Sequence, residues 1–456
     1  MRPLRQLDQI ARQTRPTRNR YVDLLRALAL LMVVLGHWLV SSVSYDGHRL
    51  PVGHSALESL HWAYPITWVV QVMPVFFIVG GYANAAALAS HRRKGGTVGG
   101  WLSQRAARLL RSTTVLLLVL AAGSLLARLL HAEPTEVRYA VWVASIPLWF
   151  LSAYLVVIVL TAPMYALHQR FGLAVPAALG LLVALGDVAR FAGHGKLAAG
   201  NLVFGWLVMH QIGFFWRDGR LRFTPRVAWC LLLGGVVALV LLTVVGPYPV
   251  SMIDVSGERI KNASPPTLAL LATATAQLGL IVLLERPAQR WLSRRRPWLA
   301  VIAASRVVLT IFLWHMSAVA LLAGGLAWAG LLPTPRVGTA SWWLWRIPWL
   351  LMLAAVLAVL VAIFAPVEVH RIRHRSGIPG WLPARAGRAL TRPAPYLATV
   401  VAALLAVAVA LWVNNIAPQR GHEPFGLPTA ALVLYLAGAL VLRLVRAVPE
   451  PRVDTR

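Results

Sequence analysis

Cysteine is almost absent from this chain. Cys230 is the only one among 456 residues, which excludes a disulfide framework and a cysteine metal site. Negative charge is scarce too, with 15 acidic residues against 44 lysines and arginines, and lysine itself occurs only as Lys94, Lys196 and Lys261. The familiar short catalytic signatures are missing. There is no Gly-x-Ser-x-Gly elbow, no phosphate-binding P-loop and no His-Glu-x-x-His pair, so a nucleophile-elbow hydrolase, a P-loop enzyme and a zincin are excluded. The apolar stretches lack the series of carboxylates that ion-coupled transport usually needs; Asp187 is the one deep candidate. The arginine-rich leader runs into a full-length apolar segment rather than a short one with a cleavage site, so no removable signal peptide is expected.

Long hydrophobic runs are plentiful. The chain is 58% hydrophobic and 13% charged, far more apolar than one soluble core requires. A net charge of +29 would ordinarily point to nucleic acid, but the basic residues sit in short clusters between apolar runs of about twenty residues, the length that crosses a bilayer. Nucleic acid is therefore not expected as a partner; membrane lipid is. Twelve spans are expected, at about 23–43, 63–89, 112–131, 140–165, 172–191, 198–216, 226–246, 266–284, 299–327, 343–366, 396–413 and 428–446. With both termini in the cytoplasm, the inner segments hold 33 of the 44 lysines and arginines. A miscounted helix would invert every later loop, so the positive-inside rule favours this count. The expected fold is an all-α, polytopic transmembrane helix bundle.

The pattern also divides the chain. Residues 1–19 form a basic cytoplasmic tail, 20–370 a ten-helix membrane domain, 371–395 a basic linker and 396–456 a C-terminal pair of helices. Segment 97–111 is too polar to span and reads as an amphipathic helix on the cytoplasmic surface before the third span.

In the first apolar segment Arg26 and His37 lie eleven residues apart, which on a helix is one face and roughly 16 Å of rise. With Arg26 at an interface, His37 falls near mid-bilayer, where an ionisable group marks a substrate or proton path. Asp23, three residues before Arg26, can hold the guanidinium. Arg105 and Arg108 place two guanidinium groups one turn apart at the inner interface, a match for phosphate or pyrophosphate; anchoring to anionic lipid would use the same arginines. His315 lies deep in the ninth span. Arg306, nine residues earlier, faces a different neighbour. Gly80-Gly81 permits close helix approach or local unwinding, with Tyr82 and Asn84 supplying polar groups beside it. Trp149 and Tyr154 read as aromatics near the outer surface. His370 and His374 are spaced as helix neighbours, but no third ligand accompanies them and no metal site is expected.

These residues resemble the acyltransferase 3 family of integral membrane acyltransferases. The Asp-x-x-Arg opening and Arg-x10-His spacing match Asp23, Arg26 and His37. The family's Arg-x-x-Arg matches Arg105 and Arg108, and its Gly-Gly-aromatic pattern matches Gly80-Gly81-Tyr82. A serine-containing span ending in Leu-x-His resembles Ser305 to His315, with Arg306 standing where an aromatic is usual, and the Glu near the tenth span's inner end is similar to Glu368. The resemblance covers about residues 20–370, and the last two spans exceed the usual ten.

What the resemblance implies is transfer of an acyl group, commonly acetyl from acetyl-CoA, to a hydroxyl of a surface polysaccharide or a glycosylated metabolite. No cofactor would be tightly bound, acyl-CoA being a co-substrate. The CoA phosphates would rest on Arg105, Arg108 and Arg26. His37 would take the acceptor's proton, with a covalent acyl-histidine route also open, and Asn84, Tyr82 and Trp149 are oxyanion-donor candidates by depth. The expected location is the bacterial cytoplasmic membrane. The rival reading is a transporter or flippase for a surface-polysaccharide or lipid-linked precursor, with His37 as a proton relay.

Overall fold

The computed structural model describes residues 19–44, 52–220, 224–369 and 390–451. Thirteen helices of ten residues or more are described. They are α1 Arg20–Val40, α2 Met73–Arg92, α3 Val98–Leu129, α4 Pro134–Ser145, α5 Leu148–Phe171, α6 Ala174–Phe191, α7 Asn201–Asp218, α8 Pro225–Val240, α9 Leu268–Leu292, α10 Arg295–Trp328, α11 Ala340–Val369, α12 Pro393–Ile416 and α13 Thr429–Val445. A two-stranded ribbon, Ser41–Ser44 with Val52–Ser55, follows α1. Among the described residues eleven helical stretches are long and apolar enough to cross a membrane; α13, at 17 residues, is apolar but shorter. His370, His374, most of the basic tail and most of the linker lie outside the described residues.

The apolar side chains are displayed outward. Leu181 and Val188 on α6, Val237 on α8, and Leu344 and Leu351 on α11 are 58–69% exposed, an arrangement that hydrocarbon favours and water does not. The chain is a multi-pass membrane protein.

Two compact units divide it. The first comprises residues 1–42, 54–85 and 163–308; the second comprises 43–53, 86–162 and 309–456. In the first unit α1 starts at Asn19, whose side chain accepts from the Tyr21 and Val22 amides at 3.0 and 3.3 Å, satisfying N-terminal donors. Small residues then bring helices to backbone contact, the usual device where no hydrophobic effect drives association. A Cβ on Gly81 of α2 would collide with the His210 carbonyl of α7, and one on Gly213 with the Ile78 carbonyl. Gly235 and Gly279 do the same for α8 against α9. The Gly80-Gly81 pair thus serves close approach, and α2 stays helical through it.

The second unit corrects two expectations. Segment 97–111 is not a separate surface helix: α3 is one helix of 32 residues. Nothing between Arg111 and Val115 breaks it, and Thr113 and Thr114 donate back to the Leu109 and Leu110 carbonyls at 2.9 and 2.7 Å, which the helix tolerates. The fourth span, expected at 140–165, is instead two helices. Pro147 has no amide hydrogen, and the chain breaks at Ile146-Pro147 between α4 and α5.

The C-terminal pair packs within this second unit. Tyr435 of α13 donates to the Leu110 carbonyl at 3.2 Å and its oxygen lies 3.0 Å from Thr114 Oγ1. Ser152 of α5 donates to the Ala408 carbonyl of α12, and Asn414 to Ser145 Oγ of α4. Beyond α13, Glu450 accepts from the Thr97 amide and hydroxyl at the start of α3 and meets His91 Nε2 at 2.9 Å. Gly100 leaves room for that carboxylate.

Candidate functional site

On α1, Asp23 is 6% exposed and its Oδ1 accepts from Arg26 Nη2 at 2.9 Å. Asp23 also lies in the first turn, where the helix dipole favours an anion. The carboxylate therefore orients the guanidinium. His37 is partly buried and stands in the last turn of α1 rather than at its middle. The helix ends early because Ser41 turns away into the ribbon, its hydroxyl and amide both donating to the His37 carbonyl. The helix is continuous from Arg26 to His37, a rise of roughly 16 Å at ideal geometry that leads to the far end of the helix.

The α2–α7 contact builds a second polar group in the same unit. Asn84 is fully buried, and its Nδ2 lies 3.1 Å from His210 Nε2. The two side chains share one buried hydrogen bond, its direction set by the histidine tautomer. Phe214 packs edge-on to this imidazole, 4.8 Å between centroids. Tyr82 instead tilts against Trp216, which meets Tyr21 edge-on. His210 escaped sequence reasoning, although the rule that singled out His37 applies to it equally: an ionisable residue inside an apolar helix. The same holds for His168 of α5, fully buried, with Nε2 3.3 Å from Asp218 Oδ2. Arg306 is half-buried on α10, in this unit.

In the second unit Arg105 donates from Nη2 to the Tyr154 hydroxyl at 3.2 Å. A ladder of rings continues from there. Tyr154 stacks on Phe150 at 5.8 Å, Phe150 meets Phe312 edge-on at 5.4 Å, and Phe312 tilts against His315 at 5.8 Å. His315, fully buried, donates from Nδ1 to the Phe312 carbonyl at 2.6 Å, which leaves Nε2 as the lone-pair nitrogen of the neutral ring. Glu368 accepts from the amide and hydroxyl of Thr310 at 2.9 and 2.7 Å, and Arg108 lies within electrostatic reach of it. Trp149 touches the ladder edge-on at Phe150.

Tyr154, in the second turn of α5, is thus beside Arg105. Arg105, Tyr154, His315 and Glu368 belong to the second unit. Asp23, Arg26, His37, Gly81, Tyr82, Asn84 and Arg306 belong to the other unit.

One further group was not anticipated. Arg138 of α4 is 1% exposed and donates to the Pro418 and Gly426 carbonyls, both at 3.1 Å. Burial lowers its guanidinium pKa, and the charge of Glu423 opposes that shift. Arg105 and Arg108 lie one turn apart on α3. No cluster of three or more histidine, cysteine or acidic side chains assembles among the described residues.

The apolar helices of this multi-pass protein carry paired arginines and buried histidines, groups that are costly to place in a membrane. The family model for the acyltransferase domain matches residues 19–368, and the chain belongs to that family of membrane acyltransferases, acyltransferase 3. No curated protein and no solved structure matches it.

Proposed function

We propose that this protein transfers an acyl group, acetyl in the first instance, from acyl-CoA to a hydroxyl of a carbohydrate or glycosylated acceptor in the bacterial cytoplasmic membrane. The observation that carries the reading is the family match over residues 19–368, within which Asp23 bonds Arg26 and His37 follows on the same helix. His37 is the general base. It takes the proton of the acceptor hydroxyl as that oxygen attacks the thioester carbonyl. The tetrahedral intermediate collapses, the carbon–sulfur bond breaks, and the proton passes to the departing sulfur, giving ester and free CoA. Arg105 and Arg108 take the phosphates of CoA, Arg105 being steered by Tyr154 and Arg108 being exposed.

The test is acyl-CoA turnover by the full chain in nanodiscs. Slow acyl-CoA hydrolysis without acceptor, abolished in His37→Ala, is the expected result. Indifference to acyl-CoA, with movement of a lipid-linked glycan across the bilayer, would establish the transporter reading instead.

A further inference from the structure

The stretch Gly246–Pro266, between α8 and α9, forms no helix or strand of its own, and a structureless loop of that length in a compact protein is uncommon unless it binds something. Side chains from neighbouring elements hold it in a fixed shape. Trp68 Nε1 donates to the Val250 carbonyl at 2.7 Å, Gln71 Nε2 to the Met252 carbonyl at 2.8 Å, and the Met252 amide to Thr67 Oγ1 at 2.8 Å. From within, Asn262 Nδ2 donates to the Pro249 and Ser251 carbonyls at 2.7 and 2.9 Å. Tyr248 is anchored from below by its hydroxyl, which donates to Asp187 Oδ2 at 2.9 Å. Asp187, the deep carboxylate noted in the sequence, also accepts from Asn201 and the Leu268 amide, so its role is to fix this loop.

Over this frame lies a cavity of about 380 Å³, lined among others by Phe191, Pro247, Tyr248, Pro249, Glu258 and Arg259. Its size falls in the range of small-ligand sites, about 300–1,000 Å³. Phe191 and Tyr248 meet at 84° with centroids 5.2 Å apart, giving the wall an aromatic corner. On the other side the cavity is lined by Glu258, whose Oε2, like Asp254 Oδ1, is buried and bonds no protein group. A carboxyl group accepts when ionised and can donate when protonated. In its ionised form Glu258 is therefore a hydrogen-bond acceptor for a ligand's donors. A ligand that offers several hydroxyl donors on one edge and a ring of C–H groups for the aromatic corner is a sugar.

We propose that this cavity is a docking site for a pyranose ring of the acceptor, with Glu258 receiving its hydroxyls and Phe191 and Tyr248 contacting its apolar face. The proposal rests on the acyl-transfer reading for what the sugar is docked to do. The positive-inside pattern places this loop on the outer side, so the acceptor engaged here is a surface glycan rather than a cytoplasmic metabolite.

The test uses the full chain in nanodiscs without acyl-CoA, probed by saturation-transfer-difference NMR with three disaccharides: cellobiose, maltose and chitobiose. Saturation transfer to the ring protons of at least one is expected, falling at least fivefold in Glu258→Gln or in Phe191→Ala, each checked for an unchanged size-exclusion profile. No transfer to any of the three, or undiminished transfer in both variants, overturns the proposal. Because acyl-CoA is absent from the measurement, failure here leaves the transfer reading standing, and failure of acyl-CoA turnover leaves the sugar site standing.

Discussion

Arg105 of α3 donates to the hydroxyl of Tyr154 of α5 across 3.2 Å, and Tyr154 is only 6% exposed. A guanidinium held this way has a direction set by protein. One that merely anchors to lipid headgroups is oriented by the bilayer. The hydrogen bond orients Arg105 toward Tyr154, and binding measurements decide which phosphate the pair takes.

Replacing both arginines, Arg105→Gln with Arg108→Gln, is expected to weaken CoA binding by about 1.5–3 kcal/mol for each charge-assisted hydrogen bond removed. The remaining affinity should also depend less steeply on salt, since fewer charges meet the phosphates. Tyr154→Phe keeps both charges and should give a smaller loss with the salt dependence intact. Titration of CoA into the solubilised protein at two ionic strengths checks this, and unchanged affinity in the double variant returns the pair to lipid anchoring.

His37→Ala is expected to abolish acyl transfer while leaving CoA affinity within a few-fold of the unmodified protein, because a residue in the last turn of α1 does not set the topology. Single-turnover measurement with radiolabelled acetyl-CoA reads both quantities. Near-normal turnover would reassign the base.

The Asn84–His210 pair makes a separate prediction. Both side chains are fully buried, and their 3.1 Å hydrogen bond lies one turn from the glycine crossing of α2 and α7. Asn84→Ala should cost about 1–3 kcal/mol of stability by removing this buried hydrogen bond, whereas Gly81→Ala should cost more, because the methyl group meets the His210 backbone and not a movable side chain. Thermal unfolding in detergent, followed by size exclusion, ranks the two. A milder effect of Gly81→Ala would mean the helices separate easily.

Much of this was legible in the sequence. Run length and charge alternation reveal a helical membrane protein because a bilayer constrains both directly. Asp23 and Arg26 were legible because an i, i+3 ion pair is a property of one helix. Arg105 with Tyr154, and Asn84 with His210, were not, since each pairs helices far apart in sequence and no local rule sets such a partner. Pro147 carried a readable signal for the break between α4 and α5. The continuity of α3 did not, because its polar first half resembles a surface helix and the helices it packs on, α12 and α13, lie far away in the sequence.

That packing predicts the fate of a truncated chain. Removing residues 393–451 strips α3 of Tyr435 at Thr114 and Leu110, takes Ala408 from Ser152 and Asn414 from Ser145, and uncovers Thr97 where Glu450 now accepts. Each buried hydrogen bond removed is worth about 0.5–1.5 kcal/mol, on top of the apolar faces exposed. The truncated protein should melt well below the full chain and bind CoA more weakly through the loosened Arg105. Gly438→Val, whose side chain would press on Val407 and the Ala403 carbonyl, should reproduce part of the effect without removing any residue. A truncated protein as stable as the full chain would show that α12 and α13 are dispensable to α3.

The loop carboxylates give the pH dependence its sign. Burial raises the Asp254 carboxyl, against the opposing Lys261, the Ala263 amide and Arg190. Glu258 is raised first by burial and further by the charge of Asp254, with Lys261 opposing. In the unfolded chain both return to ordinary values of about 4, so between those values and the raised ones the folded state binds more protons than the unfolded. Folded stability is then greatest at the acidic end of that window and declines as pH rises through the raised values. The melting temperature in nanodiscs should fall across this window in the unmodified protein, and the fall should be shallower in Asp254→Asn with Glu258→Gln, where neither group titrates. Identical slopes for the two proteins would show that these carboxylates ionise as freely when folded as when unfolded, and the buried, proton-retaining loop described here would be wrong.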